Sequence, residues 1–333
     1  MNIRCVLITG ITGFVGSHLA DYIRAHHPAV MIVGLVRWRS PKDNVLHLLN
    51  QVQLEYGDLE DLSSLQTILA KYKPEAIFHL AAQSYVDFSF RAPVVTLATN
   101  ILGTANLLEA VRGLKAAENY DPVIHICSSS EVYGQVLPDE VPIKEGNPFR
   151  PASPYAVGKV GEDMLALQYW LSWGIRTIRT RMFTHTGPRR GEVFALSNFA
   201  KQVAAIEAGV QEPVIRVGNL DSVRTWMDVR DAVRAYWMLI EKCSPGDVYN
   251  IGGAVTMTIR EALNQLLSLS VRNDIGIEVD SARLRPSDVT LQIPSIEKFV
   301  AMTGWMPEIP FQKTLADTLE YWRAYYAHNR RIA

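Results

Sequence analysis

The chain has 333 residues, 48% apolar and 20% charged, the balance of a folded globular protein and not of a disordered, collagen-like or coiled-coil chain. Its 33 Lys and Arg against 34 Asp and Glu leave a formal net charge of -1, without the basic excess that a nucleic-acid surface needs. At this length one large domain with a smaller companion is expected.

The pattern begins with a strand over Cys5 to Thr9 and a helix over Gly16 to Ala25, whose Leu19, Ala20 and Ile23 share a face. Further strands are expected at Val30 to Val36, Val52 to Tyr56, Ala76 to Leu80 and Val123 to Cys127, with helices at Asp61 to Tyr72 and Thr96 to Val111. This alternation predicts βαβ units and a Rossmann-type, doubly wound parallel sheet in an α/β fold. After about Pro138, the residues Pro142, Gly146, Pro148, Pro151 and Pro154 mark a long loop. A helix from Pro154 to Trp170 and a strand from Thr177 to Arg181 then return to the sheet. Beyond Gly187 the segments shorten and are broken by prolines, which predicts a smaller C-terminal α/β substrate-binding lobe. The expected division is 1–186 and 187–333, interleaved.

Three widely spaced cysteines, Cys5, Cys127 and Cys243, have neither disulfide nor metal-ligand spacing, so no metal site is expected. The opening residues do not read as a signal peptide, and apolar stretches such as Ala29 to Val36 are short of a bilayer span. A cytoplasmic protein with no membrane partner is therefore expected.

Gly10-Ile11-Thr12-Gly13-Phe14-Val15-Gly16 lies between the first strand and the first helix. Glycines at that junction let the backbone turn tightly and approach a diphosphate, which the N–H groups and dipole of the following helix attract. The second strand ends in Val36-Arg37-Trp38-Arg39-Ser40, with no acid before Asp43. An NAD site places an acid there for the ribose 2′-hydroxyl; Arg37, Arg39 and Ser40 suit a 2′-phosphate instead, so NADP is the expected cofactor.

Tyr155 and Lys159 are spaced i, i+4 on a predicted helix, one turn apart on one face. The phenol of a tyrosine titrates near 10, and a neighbouring ammonium favours its phenolate, making it usable as an acid and base on an alcohol or carbonyl. Ser128-Ser129-Ser130-Glu131 ends the fifth strand, where open α/β sheets hold their ligands. Together the T-G-x-x-G-x-x-G turn, the serine-rich strand end and Y-x-x-x-K resemble the extended short-chain dehydrogenase/reductase superfamily, over nearly the whole chain.

More narrowly the chain resembles the GDP-mannose 4,6-dehydratases and the related GDP-4-keto-6-deoxymannose reductases. The segments that carry this are Arg37 to Ser40, Gly57-Asp58-Leu59, Leu80-Ala81-Ala82-Gln83-Ser84, Ser129 to Gly134, Ser153-Pro154-Tyr155, Gly187 to Gly191 and Leu284-Arg285-Pro286-Ser287-Asp288. The resemblance implies that Asp58 and Leu59 border the adenine, that Leu80, Ala81, Ala82 and Gln83 line the cofactor's ribose and nicotinamide side, and that Thr99 and His185 complete the cofactor set. It implies a GDP-linked sugar bound by Ser84, Ser130, Glu131, Thr184, Arg190 and Asn198, with Arg224 and Arg285 on the diphosphate and Asp288 near the nucleotide ribose. It also implies a homodimer or homotetramer, with the helices at Thr96 to Val111 and Pro154 to Trp170 as interface elements.

Ser129, Tyr155 and Lys159 serve dehydratase, reductase and epimerase alike, and only the dehydration requires Glu131, to move the C5 proton and release the C6 hydroxyl. The dehydratase is therefore the leading expectation, with 4-reductase, 4-epimerase and a non-catalytic cofactor sensor as alternatives. Thr184 stands where both families favour Asn, and Asn198 where many dehydratases carry Lys.

Overall fold

The structure, a computed structural model, describes residues 3–284 and 289–329. The strands are β1 (Cys5–Thr9), β2 (Met31–Val36), β3 (Gln53–Tyr56), β4 (Ala76–His79), β5 (Val123–Ser129), β6 (Thr177–Met182), β7 (His185–Thr186), β8 (Val214–Val217), β9 (Val223–Asp228), β10 (Val248–Ile251), β11 (Val255–Thr258), β12 (Gly276–Val279) and β13 (Leu291–Gln292). The helices are α1 (Phe14–His26), α2 (Leu62–Tyr72), α3 (Val86–Arg91), α4 (Pro93–Leu97), α5 (Gly103–Glu118), α6 (Pro154–Trp173), α7 (Ala195–Glu207), α8 (Val229–Lys242), α9 (Ile259–Leu267), α10 (Glu297–Thr303) and α11 (Phe311–Asn329).

Seven strands form one parallel sheet in the order β10-β6-β5-β4-β1-β2-β3. Alternate residues of β1 face opposite layers, as strand geometry demands. Val6 and Ile8 pack with α1, α8 and α10 through Leu19, Ile23, Tyr236, Trp237 and Phe299. Cys5 and Leu7 pack with α2, α5 and α6 through Leu65, Leu69, Leu107, Val111 and Tyr169. Burial on both faces explains the nearly continuous apolar strands. The doubly wound sheet is the one the sequence predicts, and β10, from late in the chain, closes its edge.

The sequence places a helix at Thr96 to Val111, whereas the helical run begins at Pro93 and continues to Glu118. Pro93 occupies the first helical turn, where its missing N–H costs nothing. A π-helical turn, Ala98–Leu102, interrupts the run, and Asn119 ends it in the left-handed region at φ 55°. By length and composition alone this run could cross a bilayer, a point that short apolar stretches did not reveal. Here it lies against the sheet, with Leu107, Leu108, Ala110 and Val111 fully buried. Similarly, α6 runs three residues past the expected Trp170 and stops at Gly174, which adopts φ +61°.

A separate core joins α7, α9 and α11 to β8 and β9 through Phe199, Val203, Leu263, Leu266, Leu315 and Trp322. Above it, β9 pairs with β7, β11 and β13, and β8 pairs with β12. These segments lie beside the C-terminal ends of β5 and β6, where the bridge Ile143↔Pro294 ties them to the loop after β5.

Candidate active site

The chain runs outward from β1 to β3 and then returns to place β4, β5 and β6 on the other side of β1. The crevice at this reversal lies beyond the strands' carboxyl ends, the usual place for a ligand in such sheets. The glycine turn follows β1, Leu80 to Ser84 follow β4, Ser130 and Glu131 follow β5, and Thr184 follows β6.

Gly10 takes φ +74°, a region that favours glycine, and Gly16 packs so tightly that an added Cβ would lie 2.3 Å from the Gly10 carbonyl oxygen. Gly13 stands at the N-cap of α1 with no capping side chain, and the first turn carries no acid. By contrast Asp61, Ser153, Asp228 and Thr258 cap α2, α6, α8 and α9. The free N–H groups and dipole of α1 are thus left for an external anion. The Thr12 carbonyl accepts a bond from Asn44 Nδ2 at 3.0 Å, while Phe14 and Val15 are half-buried in the first turn.

Arg37 and Arg39 are exposed beyond β2, and neither has an ion pair among the described residues. The Arg39 guanidinium stands 5.1 Å from the Trp38 ring centre, and the Ser40 N–H donates to the Arg37 carbonyl. Asp58 accepts from the Glu60 N–H at 3.2 Å, and Leu59 is buried beside Gly103. The Thr99 hydroxyl donates to Glu60 at 2.9 Å, which places it on this same side.

The Leu80 and Ala81 N–H groups both donate to Thr9 Oγ1 at 3.1 Å, and Thr9 in turn meets His79 Nδ1 at 2.9 Å. The Gln83 backbone exchanges two bonds with the Asn100 side chain, 2.8 and 3.1 Å, while the Gln83 amide is bonded to Thr96 and to the Tyr85 backbone. Gln83 therefore shapes the loop with both its side chain and its backbone. Ala82 is half-buried in the loop, and Ser84 is exposed at its end.

Tyr155 and Lys159 lie on α6, which Ser153 caps by accepting the Ala156 N–H. The Lys159 ammonium donates to the Cys127 carbonyl at 2.9 Å and to Glu162 Oε2 at 2.8 Å. Burial alone would lower the Lys159 pKa, but Glu162, Tyr155 and Cys127 outweigh it, so the group is held above its ordinary value and stays protonated. Burial pushes the Tyr155 phenol up, against the opposing pull of Lys159 and a hydrogen bond with Ser129. Ser129 Oγ also accepts the Glu131 N–H at 3.2 Å, at the start of a 3₁₀ turn over Ser130–Tyr133, in which Ser130 is buried. Glu131 Oε1 accepts from Gln292 Nε2 at 3.2 Å. The four predicted catalytic residues are thus brought together where β5 ends.

His185 stacks on Phe14 with ring centres 5.7 Å apart and an interplanar angle of 11°. Its Nδ1 meets the Phe183 carbonyl, whereas its buried Nε2 has no partner; burial and the nearby Arg190 charge lower its pKa to about 3. Arg190 lies 4.9 Å from the Phe14 ring centre and 3.6 Å from that of Phe194, and desolvation lowers its pKa to about 10. Thr184 is half-buried beside them. An uncapped helix start, an orphaned buried imidazole nitrogen and unpaired arginines beyond β2 fit a nicotinamide dinucleotide with a 2′-phosphate.

Arg224 on β9 donates to the Val223 and Val289 carbonyls, and its register partner on β13 is Gln292. Asn198 on α7 is bonded to the Glu192 carbonyl, Gln202 and Arg283. Arg285 and Asp288 lie outside the described residues.

A family model described as GDP-mannose 4,6 dehydratase matches residues 7–318. The chain belongs to that family. Its relatives include the GDP-6-deoxy-D-mannose reductase of Pseudomonas aeruginosa, 34% identical over 319 residues, with 96% of this chain and 97% of that one covered. The GDP-mannose 4,6-dehydratase of Vibrio cholerae is 33% identical over 355 residues, covering 95% and 93%. Among solved structures, RMD from Pseudomonas aeruginosa complexed with NADPH superposes with a TM-score of 0.82 at 32% identity, over 97% of this chain and 99% of that one. DesIV, a dTDP-glucose 4,6-dehydratase from Streptomyces venezuelae with NAD and TYD bound, gives 0.85 at 26%, covering 97% and 98%. Membership of the GDP-mannose 4,6-dehydratase family makes this chain an enzyme of the NADP-dependent dehydratase and oxidoreductase type.

Three residues that bear on the site escaped the sequence reading. Gln292 reaches Glu131 across 161 positions, a pairing that only the tertiary fold creates. Asn100 falls within the predicted helix at Thr96 to Val111, and what the sequence does not show is the π turn that aims it at Gln83. Glu162 had a legible signal, an acid at i+7 from Tyr155 on the helix face already marked by Lys159.

Proposed function

We propose that this family member acts as a 4,6-dehydratase on GDP-mannose, giving GDP-4-keto-6-deoxymannose with NADP as a recycled cofactor. The observation that carries the reading is Glu131, a carboxyl group anchored by Gln292 at the same strand end as Ser129 and the Tyr155–Lys159 pair. NADP supplies, when bound, an acceptor for the C4 hydride that is returned to C6 in the same turnover. Tyr155 takes the O4 proton as the C4 alcohol becomes a ketone, Lys159 stabilises the phenolate, and Ser129 holds O4 by a hydrogen bond. The new ketone acidifies the C5 proton. Glu131 removes it and protonates the departing C6 hydroxyl, so that water is lost. Return of hydride to C6 and of a proton to C5, which balances the one Tyr155 took from O4, completes a reaction with no net redox change.

The glycine turn would hold the cofactor diphosphate at α1, and Arg37, Arg39 and Ser40 its 2′-phosphate; Arg190 and Arg224 supply cationic donors for the substrate's diphosphate. We also propose association through α4, α5 and α6. Val94 on α4, Leu102 in the π turn before α5 and Leu171 on α6 are 76%, 60% and 72% exposed, an apolar face suited to a second copy.

Incubating the protein with GDP-mannose, without added reductant, and weighing the nucleotide sugar tests the reading: a product lighter by one water is expected. The Pseudomonas aeruginosa reductase relative favours one alternative, 4-reduction. That activity would leave GDP-mannose unchanged and would instead consume NADPH when given the 4-keto-6-deoxy sugar.

A further inference from the structure

Tyr155, Lys159 and Glu162 occupy positions i, i+4 and i+7 of α6 and so lie along one face of the helix. Glu162 is 1% exposed, and its Oε2 forms a 2.8 Å ion pair with Lys159, also buried at 5%. Its other oxygen, Oε1, is buried without a hydrogen-bond partner, which is unusual for an interior carboxyl group. The adjacent Asp163 differs in this respect: Arg179 and Arg181 on β6 bond both of its oxygens at 2.8–3.3 Å. Asp163 therefore has its own counter-charges, while among the described residues Glu162 has only the lysine on which the proposed chemistry depends.

We propose that Glu162 is a charge-tuning, positioning residue: its carboxyl group fixes the Lys159 ammonium against the Cys127 carbonyl and sets how strongly that ammonium can stabilise a Tyr155 phenolate. This rests on the reading of Tyr155 and Lys159 as the acid–base pair. A carboxylate 2.8 Å from the ammonium cancels much of its field at the phenol, and a neutral carboxyl releases that field. Burial pushes the Glu162 pKa up to about 7, against the pull of Lys159, with Asp163 raising it further. Its charge thus changes in the range where the enzyme would work, and the two groups titrate as a coupled pair with Tyr155.

The other groups facing this cluster are Cys127 on β5, Asp163 on α6, Arg179 and Arg181 on β6, His79 and His125 beneath it, Tyr236 on α8, and Arg190 beyond Tyr155. Burial pushes the Cys127 thiol and the Tyr236 phenol up and keeps the two imidazoles neutral, with pKa values of about 3. Glu162 is then the group in this cluster whose pKa is shifted to the neighbourhood of pH 7.

The test is the pH profile of kcat/KM for GDP-mannose turnover, which reports the free enzyme, from about pH 5 to about pH 9.5. Glu162→Gln keeps the shape and an acceptor for Lys159 but removes the charge. It should move the upper part of the acid limb toward lower pH: activity between about pH 7 and about pH 8.5 rises about twofold relative to the plateau, while near pH 6, where the parent carboxyl group is already neutral, the two profiles coincide. Glu162→Met, uncharged and of similar length, must move the limb the same way, and provides the answer if the first variant folds poorly. A purely structural ion pair predicts lower thermal stability with an unmoved limb, and that result overturns the proposal. Tyr155→Phe is the companion control. If it stays active, the acid–base assignment itself has failed; if it is inactive while the limb is unmoved in the Glu162 variants, only the tuning role has.

Discussion

Two glycines of the same turn should fail in different ways when given a methyl group. At Gly16 the added Cβ would lie 2.3 Å from the Gly10 oxygen, 2.7 Å from Ile11 Cα and 2.8 Å from the Gly10 carbonyl carbon. All three are backbone atoms, which cannot rotate aside, so the β1–α1 junction itself must shift. Overpacking of this kind costs about 1–3 kcal/mol. With an unfolding entropy of about 2.1 cal/mol/K per residue, a chain of this length loses about 1.5–4 °C in Tm. At Gly13 the backbone has φ -77°, and the only neighbour is the Gly10 oxygen at 3.1 Å. Gly13→Ala should therefore fold and melt within about 1 °C of the parent. Its methyl group would, however, stand at the uncapped start of α1 where a diphosphate must approach. Weakening of NADPH binding by about tenfold, roughly 1.4 kcal/mol, is expected. Calorimetry and NADPH fluorescence titration of both variants separate the two effects. A Gly13→Ala protein that binds NADPH as tightly as the parent would refute the placement of the cofactor, and an unshifted Tm for Gly16→Ala would refute the packing argument.

Glu131→Gln should bind NADP normally yet lose dehydration by about 10²–10⁴-fold, with C4 oxidation intact; mass spectrometry that finds the usual water loss at the usual rate would remove Glu131 from the mechanism. Arg39→Ala should raise the KM for NADP about tenfold or more while leaving that for NAD unchanged, so the ratio of the two cofactors is the readout. Acid should destabilise the fold through its buried imidazoles. Burial lowers the pKa of His79 and His125 from 6.5 to about 3, so both are neutral when folded, whereas the unfolded chain takes up protons below about pH 6.5. Their contribution is complete above that pH and is lost as pH falls toward 3. At pH 5.5 this is roughly 1.4 kcal/mol for each, or a Tm lower by about 4 °C, and a flat Tm between about pH 7 and pH 5.5 would contradict it.

The parts of the site that were legible in the sequence are those encoded within one turn of chain. The glycine turn, the i, i+4 pair of Tyr155 and Lys159, and the Ser129–Glu131 strand end all depend on local geometry, and β1 emerges with the bounds its apolar run predicts. What was not legible depends on distant partners. The Gln292–Glu131 bond joins β13 to the loop after β5, and β10 joins β6 from 69 positions away in register. Apolar periodicity marks a strand as buried but carries no information on which neighbour buries it. The early end assigned to α6 has a different cause. Val157, Met164 and Leu171 place apolar side chains outward while Ala166 and Tyr169 face the core, so the polar face that normally delimits a surface helix is missing.

That double-faced character of α6 would link catalysis to the proposed association. Tyr155, Lys159 and Glu162 lie on its sheet-facing side, held by the Cys127 carbonyl and, one position on, by Asp163 with its two arginines. Val157, Met164 and Leu171 are spaced by seven and form a stripe on the outer side, near the Val95 and Leu102 pair, also spaced by seven, on the neighbouring helical run. A heptad stripe facing a second copy would complete the burial of a helix whose inner face already holds a buried ion pair. A shift of Lys159 by even 1 Å would disturb its bonds to both Cys127 and Glu162, because hydrogen bonds of 2.8–2.9 Å tolerate little displacement. The same helix would then fix the subunit contact and the position of the acid–base pair, and the apolar outer face would support the chemistry on the inner one by restraining the element that carries it.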